Sequence, residues 1–227
     1  VGPLPIVALS YPWADPFHPD RHGIMLRTVS IFLETLLGNY ASKNHDLAAG
    51  FGDYFTVGVM VDFSSLPQMP RTAAEQAQFE LGLSNMHQWY SHPNTWVVKV
   101  SAKVPQHFEC SNPRSYLQRG WCVFEATICS AVKRAGLIVD VPVFAVDTET
   151  KDQLTRSVKS KYSDAPEETE EACKDDRGEG LVPVLVDPDT MEADIRTRVS
   201  DGSLSFSYSA DLDVVVSLYR SGFQQAF

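Results

Sequence analysis

The segment Tyr116-Leu-Gln-Arg119-Gly-Trp121-Cys122-Val-Phe-Glu125 brings an aromatic hydroxyl, a guanidinium, a thiol and a carboxylate into one short stretch of chain. Apolar spacing predicts a helix over residues 121–135, which sets Glu125 just inside its N-terminus. The helix dipole favours negative charge there, so the carboxylate is expected to be ionised. It is either a reacting group or half of an ion pair with Arg119 or Arg71 that holds a loop in place. Those two arginines have the planar fork that grips a pyrophosphate bidentately, and equally the reach to cap acidic neighbours. Ser10, Trp13 and Tyr116 add hydroxyls and aromatic faces on which a ligand can stack.

Other chemistry-bearing residues read as structural. Cys122 and Cys129 lie seven apart on one helical face, the spacing of buried packing rather than of a reactive pair. Trp121 reads as core, a large ring fixing the helix against a sheet. His18, Asp20 and His22 sit in a proline-rich loop with no cysteine and no later histidine at ligand spacing, so no metal site is expected. The run Glu167-Glu168-x-Glu170-Glu171 reads as a solvated acidic face. No Walker A motif, GxGxxG or GxSxG occurs, which removes P-loop NTPases, dinucleotide dehydrogenases of the usual type and α/β-hydrolases.

The elements that must position these residues alternate between strand and helix. Apolar runs at 4–11, 55–63, 95–100, 137–146 and 181–186 read as strands buried on both faces. Pro142 puts the fourth at an edge or a bulge. Helical spacing marks residues 24–37, with a stop at Gly38-Asn39, and residues 72–90, where Thr72 and Glu75 form a capping-box pattern. Further helices are expected at 121–135, 191–199 and 211–223, with a polar helical or mobile excursion at 147–180. This pattern predicts an α/β, flavodoxin-like parallel sheet of about five strands with helices on both faces. Such sheets bind ligands beyond the carboxyl ends of their strands, which directs attention to Ser10–Trp13, to 62–68, to 101–103 and to the loop before Trp121.

Charge narrows the partners. The chain carries 19 Lys+Arg against 29 Asp+Glu, a formal net charge of −10. Residues 1–150 hold 10 basic and 13 acidic side chains, and residues 151–227 hold 9 and 16. No basic run concentrates anywhere, so nucleic acid is not an expected partner. No apolar stretch provides the ~20 residues a membrane-spanning helix needs. Four cysteines without a CxxC pair read as reduced thiols, which suits an intracellular compartment, the cytoplasm first and an organelle second.

The Tyr116 and Trp121-Cys122-x-x-Glu125 element resembles the tyrosine, tryptophan–cysteine and glutamate pattern of TIR domains, above all the plant type. Three other pieces fall in the order of that family: Ala8-Leu9-Ser10-Tyr11 at the first strand, Val59-Met60-Val61-Asp62 at the second, and the third strand ending at Ser101. The combination RGWC-x-F-E, SLPQ-x-PRT and SYPW-x-x-P-x-HPD is similar to TIR-like domains of large protist and algal proteins. The resemblance implies a TIR-like core at 1–146 and an acidic surface insertion at 147–180. Residues 181–227 then supply the last strand and a C-terminal helical extension of the same domain.

What the resemblance implies for function follows residue by residue. Enzymatic TIR domains cleave NAD between nicotinamide and ribose, and the family's catalytic glutamate falls at Glu125. Nicotinamide is a ready leaving group, so a lone carboxylate suffices to stabilise an oxocarbenium-like cation and orient the ribose. Ser10, Trp13 and Tyr116 would line the nicotinamide–ribose pocket, with Arg71 and Arg119 on the pyrophosphate. NAD would be substrate, with no prosthetic group. TIR domains also assemble through their own surfaces. Ser64–Gln68 in place of a glycine-bearing loop, and Tyr11-Pro12-Trp13 in place of an Arg/Gly-rich turn, fit an alternative expectation: a catalytically inactive interaction or scaffold module within a larger assembly.

Overall fold

The computed structural model describes residues 6–15, 17–43, 57–92, 95–105, 108–133, 137–163 and 186–226. Within them the strongest apolar run becomes β1 (Ile6–Ser10), flanked on one side by β2 (Gly58–Met60) and on the other by β3 (Thr95–Lys99), with β4 (Ile138–Asp140) beyond β3. All pairings are parallel, and the order is β2-β1-β3-β4. β1 and β3 pair over their full length, from Ile6 opposite Thr95 to Ser10 opposite Lys99.

Strand alternation divides the core in two. Val7, Leu9, Val98 and Val139 face one side, where they pack with Ile24, Met25, Val29 and Phe32 of α1 (Ile24–Lys43) and with Leu154 of α6 (Thr148–Ser163). Ala8, Met60 and Val97 face the other. There they meet α4 (Met86–Ser91), α5 (Gly120–Val132), α7 (Pro188–Ser200) and α8 (Asp211–Ala226), through Tyr90, Phe124, Ile128, Ile195 and Tyr219. Helices on both faces of a parallel sheet define the α/β class. The order 2-1-3-4 is compatible with a flavodoxin-like fold, whose switch point lies between β1 and β3.

Several elements depart from the sequence expectation for local reasons. Four strands, rather than five, stand among the described residues; residues 181–185 of the expected fifth lie outside them, as do residues 4–5 and 55–56 of the first and second. The long strand expected at 137–146 stops at Asp140, ahead of Pro142, which has no N–H for a ladder. α1 runs through Gly38 to Lys43 instead of stopping, because one glycine costs a helix only about 1 kcal/mol relative to alanine. Its start is fixed by Asp20, whose two carboxylate oxygens accept the N–H groups of Met25 and Leu26. The predicted 72–90 helix divides at Asn85 into α3 (Ala73–Ser84) and α4, where the Asn85 amide bonds back to the Leu81 carbonyl. The Thr72–Glu75 capping box is present in full.

The 147–180 excursion begins with the helix α6; residues 164–180, with the acidic glutamate run, lie outside the described set. Among the described residues no helix is long and apolar enough to cross a membrane.

Candidate functional site

β1 ends at Ser10, and its hydroxyl lies where the sheet's switch point opens between β1 and β3. Ser10 Oγ donates to Glu125 Oε2 at 2.5 Å, reaching across to α5. Ser10 Oγ is also 2.5 Å from the Tyr116 hydroxyl. A serine has one proton, so if it goes to Glu125, Tyr116 must donate to Ser10. The result is a directed chain of O–H groups, Tyr116 to Ser10 to Glu125, in which each bond polarises the next. Tyr116 sits on a single 3-10 turn (Tyr116–Gln118), closed by a Ser115–Gln118 capping box immediately before α5.

All three side chains are buried, Glu125 at 8% exposure and Ser10 fully. This corrects the expectation of an ionised carboxylate. The helix begins at Gly120, so Glu125 is more than a turn inside it and out of water. Desolvation pushes its pKa from 4.5 up to about 8, the neighbouring Asp62 adds to the rise, and the hydroxyls of Ser10 and Tyr90 only partly offset it. At neutral pH the group is held mainly as the neutral acid. Burial also raises the thiol of Cys122, and that of Cys129 to about 11, so both are inert packing residues, as their spacing suggests. Trp121 packs edge-on against Phe124 and its indole N–H donates to Asp211.

A second carboxylate stands beside the first. Asp62 opens the short α2 (Asp62–Ser65) just past β2 and accepts three donors: the Tyr11 hydroxyl at 2.6 Å, the Trp13 indole N–H at 3.0 Å and its own neighbour's N–H, from Phe63, at 2.7 Å. Burial still raises its pKa more than those donors lower it. The Trp13 ring meets Phe63 edge-on, with centroids 5.6 Å apart, and His18 leans on the same Phe63 ring.

The two arginines are spent locally. Arg119 is buried and donates Nε to the Arg114 carbonyl at 3.0 Å, with its terminal nitrogens on the carbonyls of Trp13 at 2.5 Å and Asn112 at 2.6 Å. Burial lowers its pKa from the ordinary arginine value. Arg71 donates Nε to the Pro67 carbonyl and stacks on the Phe79 ring at 3.4 Å. Neither makes a salt bridge to Glu125 among the described residues. The structure therefore groups Ser10, Tyr116 and Glu125 at one point and sets Trp13 on the rim. Arg119 lies under that rim as a clamp, and Arg71 lies against α3.

Of the loop histidines, His18 Nδ1 accepts the Asp20 N–H, Asp20 caps α1, and His22 lies against Phe108. Among the described residues no group of three or more His, Cys, Asp or Glu is arranged to hold a metal.

Sequence reasoning missed the C-terminal brace of this site. Ser205 forms a parallel bridge with Arg119, exchanging backbone bonds with Gln118 and Gly120, while Arg198 donates to the Leu117 carbonyl. Phe206 lies so close over Gly120 that a Cβ there would stand 2.1 Å from its ring. The glycine between Arg119 and Trp121 is the one signal that pointed to such a close approach.

Comparison with protein-family models, with curated proteins and with solved structures returns no match for this chain.

Proposed function

We propose that the chain is a TIR-like domain that binds NAD or a related nucleotide and cleaves the nicotinamide–ribose bond with Glu125. The observation that carries this reading is a buried carboxylate at the switch point of the sheet whose partners among the described residues are hydroxyls and not a cation. A structural glutamate in a core is normally paired. The two arginines that the sequence offers for that role bond to carbonyls and to an aromatic face. Strongly perturbed carboxylates at the carboxyl ends of such sheets are functional-site candidates.

The chemistry follows from the raised pKa. At rest Glu125 holds a proton; the oxidised nicotinamide ring is a cation, and its arrival beside the carboxyl favours ionisation. The proton it gives up passes to solvent; the carboxylate then faces the ribose carbon as the C–N bond breaks, the bonding pair leaves on the nicotinamide nitrogen, and a water adds its oxygen to that carbon and gives a proton back to the carboxylate. Ser10, fixed by Tyr116, keeps one carboxylate oxygen oriented through this change.

The test is chromatography of NAD incubated with concentrated protein, beside Glu125→Gln. Nicotinamide released by the wild type and not by the variant supports the reading. Equal, negligible release by both, under crowding that promotes assembly as well as in dilute solution, refutes it. The second reading, an inactive interaction module within a larger assembly, is favoured by one observation: Glu125 is buried, at 8% exposure.

A further inference from the structure

Tyr90 is fully buried on α4, and its hydroxyl has two acceptors. It donates to the Leu9 carbonyl at 2.9 Å, and it also hydrogen-bonds the Glu125 carboxyl. The pairing of β1 leaves that carbonyl to a side-chain donor. Ser10 turns its carbonyl to β3, where it accepts the Val100 N–H, so the Leu9 carbonyl one residue earlier turns toward β2. β2 pairs with β1 only as far as Ala8 opposite Met60. A phenylalanine would fill the same space with no polar atom to satisfy, whereas a buried hydroxyl costs free energy unless it is bonded.

One phenolic proton serves one acceptor at a time. While Glu125 is the neutral acid, Ser10 donates to its Oε2, the acid's own O–H is available to the Tyr90 oxygen, and the Tyr90 proton stays on Leu9. The directed chain that starts at Tyr116 then runs on through Glu125 and Tyr90 to a backbone carbonyl. As a carboxylate, Glu125 has no proton to give, and a hydrogen bond to an ionised acceptor is roughly twice as strong as one to a neutral carbonyl. In that state Tyr90 donates to Glu125.

We infer that Tyr90 is the switch partner of Glu125: its hydroxyl turns from the Leu9 carbonyl to the carboxylate when Glu125 gives up its proton, and back when the proton returns. No bond to the Tyr90 oxygen breaks; the proton that leaves is that of Glu125, and it passes to solvent. Tyr90 is a positioning residue, acting on a ligand only through Glu125. The inference concerns the carboxyl itself, and only its bearing on turnover rests on Glu125 as the group that faces the ribose. The titratable groups acting on Glu125 are Tyr11 beyond β1, Asp62 of α2, Tyr90 of α4, Tyr116, and Cys122 and Cys129 of α5. Burial holds these phenols and thiols above their ordinary values, so of this group only the two carboxyls titrate between about pH 6 and pH 9.

The experiment is carbon-13 NMR over that range on the wild type, Glu125→Gln and Tyr90→Phe. The side-chain carboxyl signal of Glu125 is the one missing from Glu125→Gln, and the Leu9 carbonyl is read through the Ser10 N–H. In the wild type both signals should move with one midpoint, at about 8, the Leu9 carbonyl toward the shift of a carbonyl without a donor. In Glu125→Gln, whose NH2 donates to Tyr90 as the acid does, the Leu9 carbonyl should hold still. In Tyr90→Phe the Glu125 midpoint should rise by about one pH unit, a tenfold weaker ionisation, and the Leu9 response should vanish. A Leu9 carbonyl that stays fixed while Glu125 titrates overturns the switch from the wild type alone, whether or not Tyr90→Phe folds. So does an unchanged or lower Glu125 midpoint in folded Tyr90→Phe, or a Leu9 response as large there as in the wild type, which would be the field of the carboxylate alone. Where nicotinamide is released, the rising limb of the pH–rate profile should move up with the Glu125 midpoint, and a limb that stays put overturns the bearing on turnover. No nicotinamide from any form, with both carbon signals behaving as expected, overturns the NAD reading and leaves the switch standing.

Discussion

Replacing Glu125 by glutamine separates the burial of this carboxyl from every other titration in the protein. In the unfolded chain the group ionises near 4.5, and in the folded protein near 8. Below pH 4.5 both states hold the proton, and the group's contribution to stability is fully present. Between 4.5 and about 8 the folded state keeps the proton that the unfolded state has lost, so stability falls as pH rises, and the loss is complete once pH passes the folded value. At 1.36 kcal/mol per pH unit, that interval corresponds to on the order of 4–5 kcal/mol. Relaxation around the ionised group makes this an upper bound. Glutamine keeps an oxygen for the Ser10 hydroxyl and has nothing to ionise. Urea unfolding at intervals from pH 5 to pH 9 should therefore show Glu125→Gln close to the wild type at pH 5 and more stable by several kcal/mol at pH 9. Other groups cancel in the difference, and the repulsion from Asp62 is already contained in the Glu125 shift. A difference that stays flat across the range would mean that Glu125 ionises at its ordinary value in the folded protein. Desolvation would then not govern this carboxyl.

Three further substitutions probe the scaffold. Gly120→Ala drives a methyl into the Phe206 ring and should cost about 1–3 kcal/mol in urea unfolding, with Gly120→Ala/Phe206→Leu recovering part of the loss; equal stability of Gly120→Ala and wild type would refute the close approach. Arg119→Lys keeps the charge but cannot fork to three carbonyls, so it should lose about 2–3 kcal/mol, and a loss under 0.5 kcal/mol would show that charge alone is what the loop needs. His87 is buried in α4 with Nδ1 lacking a partner among the described residues and only a 3.4 Å contact from Nε2 to Gln225. His87→Leu should therefore raise the melting temperature, by the equivalent of about 1 kcal/mol, whereas a lower one would mean that a bound water satisfies the ring.

How much of this was legible in the sequence depended on how local the cause was. The capping box at Thr72 and Glu75 involves residues three apart, and it is where the pattern puts it. Burial of Cys122 and Cys129 followed from their shared helical face. β1, β3 and α5 came through because their apolar runs are strong enough to fix both type and place. The state of Glu125 did not, because the dipole is a property of one helix while the raised pKa comes from burial in the folded core, with the charge of Asp62 adding to it and the hydrogen bonds of Ser10 and Tyr90 opposing it, all brought in from other parts of the chain. Arg71 and Arg119 illustrate the same limit. A guanidinium in a sequence offers the same donors to a pyrophosphate as to a loop carbonyl, and only the folded loop decides between them. The short strands β2 and β4 carry too few residues to show where they end, so their boundaries were read too long.

The strap formed by residues 198–206 has a consequence for the timing of synthesis. Arg198 grips the Leu117 carbonyl from 81 residues further along the chain, and Ser205 completes the bridge to Arg119. A ribosome adding about 5–20 residues per second makes Glu125 some 4–16 s before it makes the segment that braces the turn in front of it. Over that interval the nascent polypeptide carries the carboxyl without the strap. The chemistry proposed for it is thus deferred until the far end of the fold has been made, a delay built into the chain's own topology.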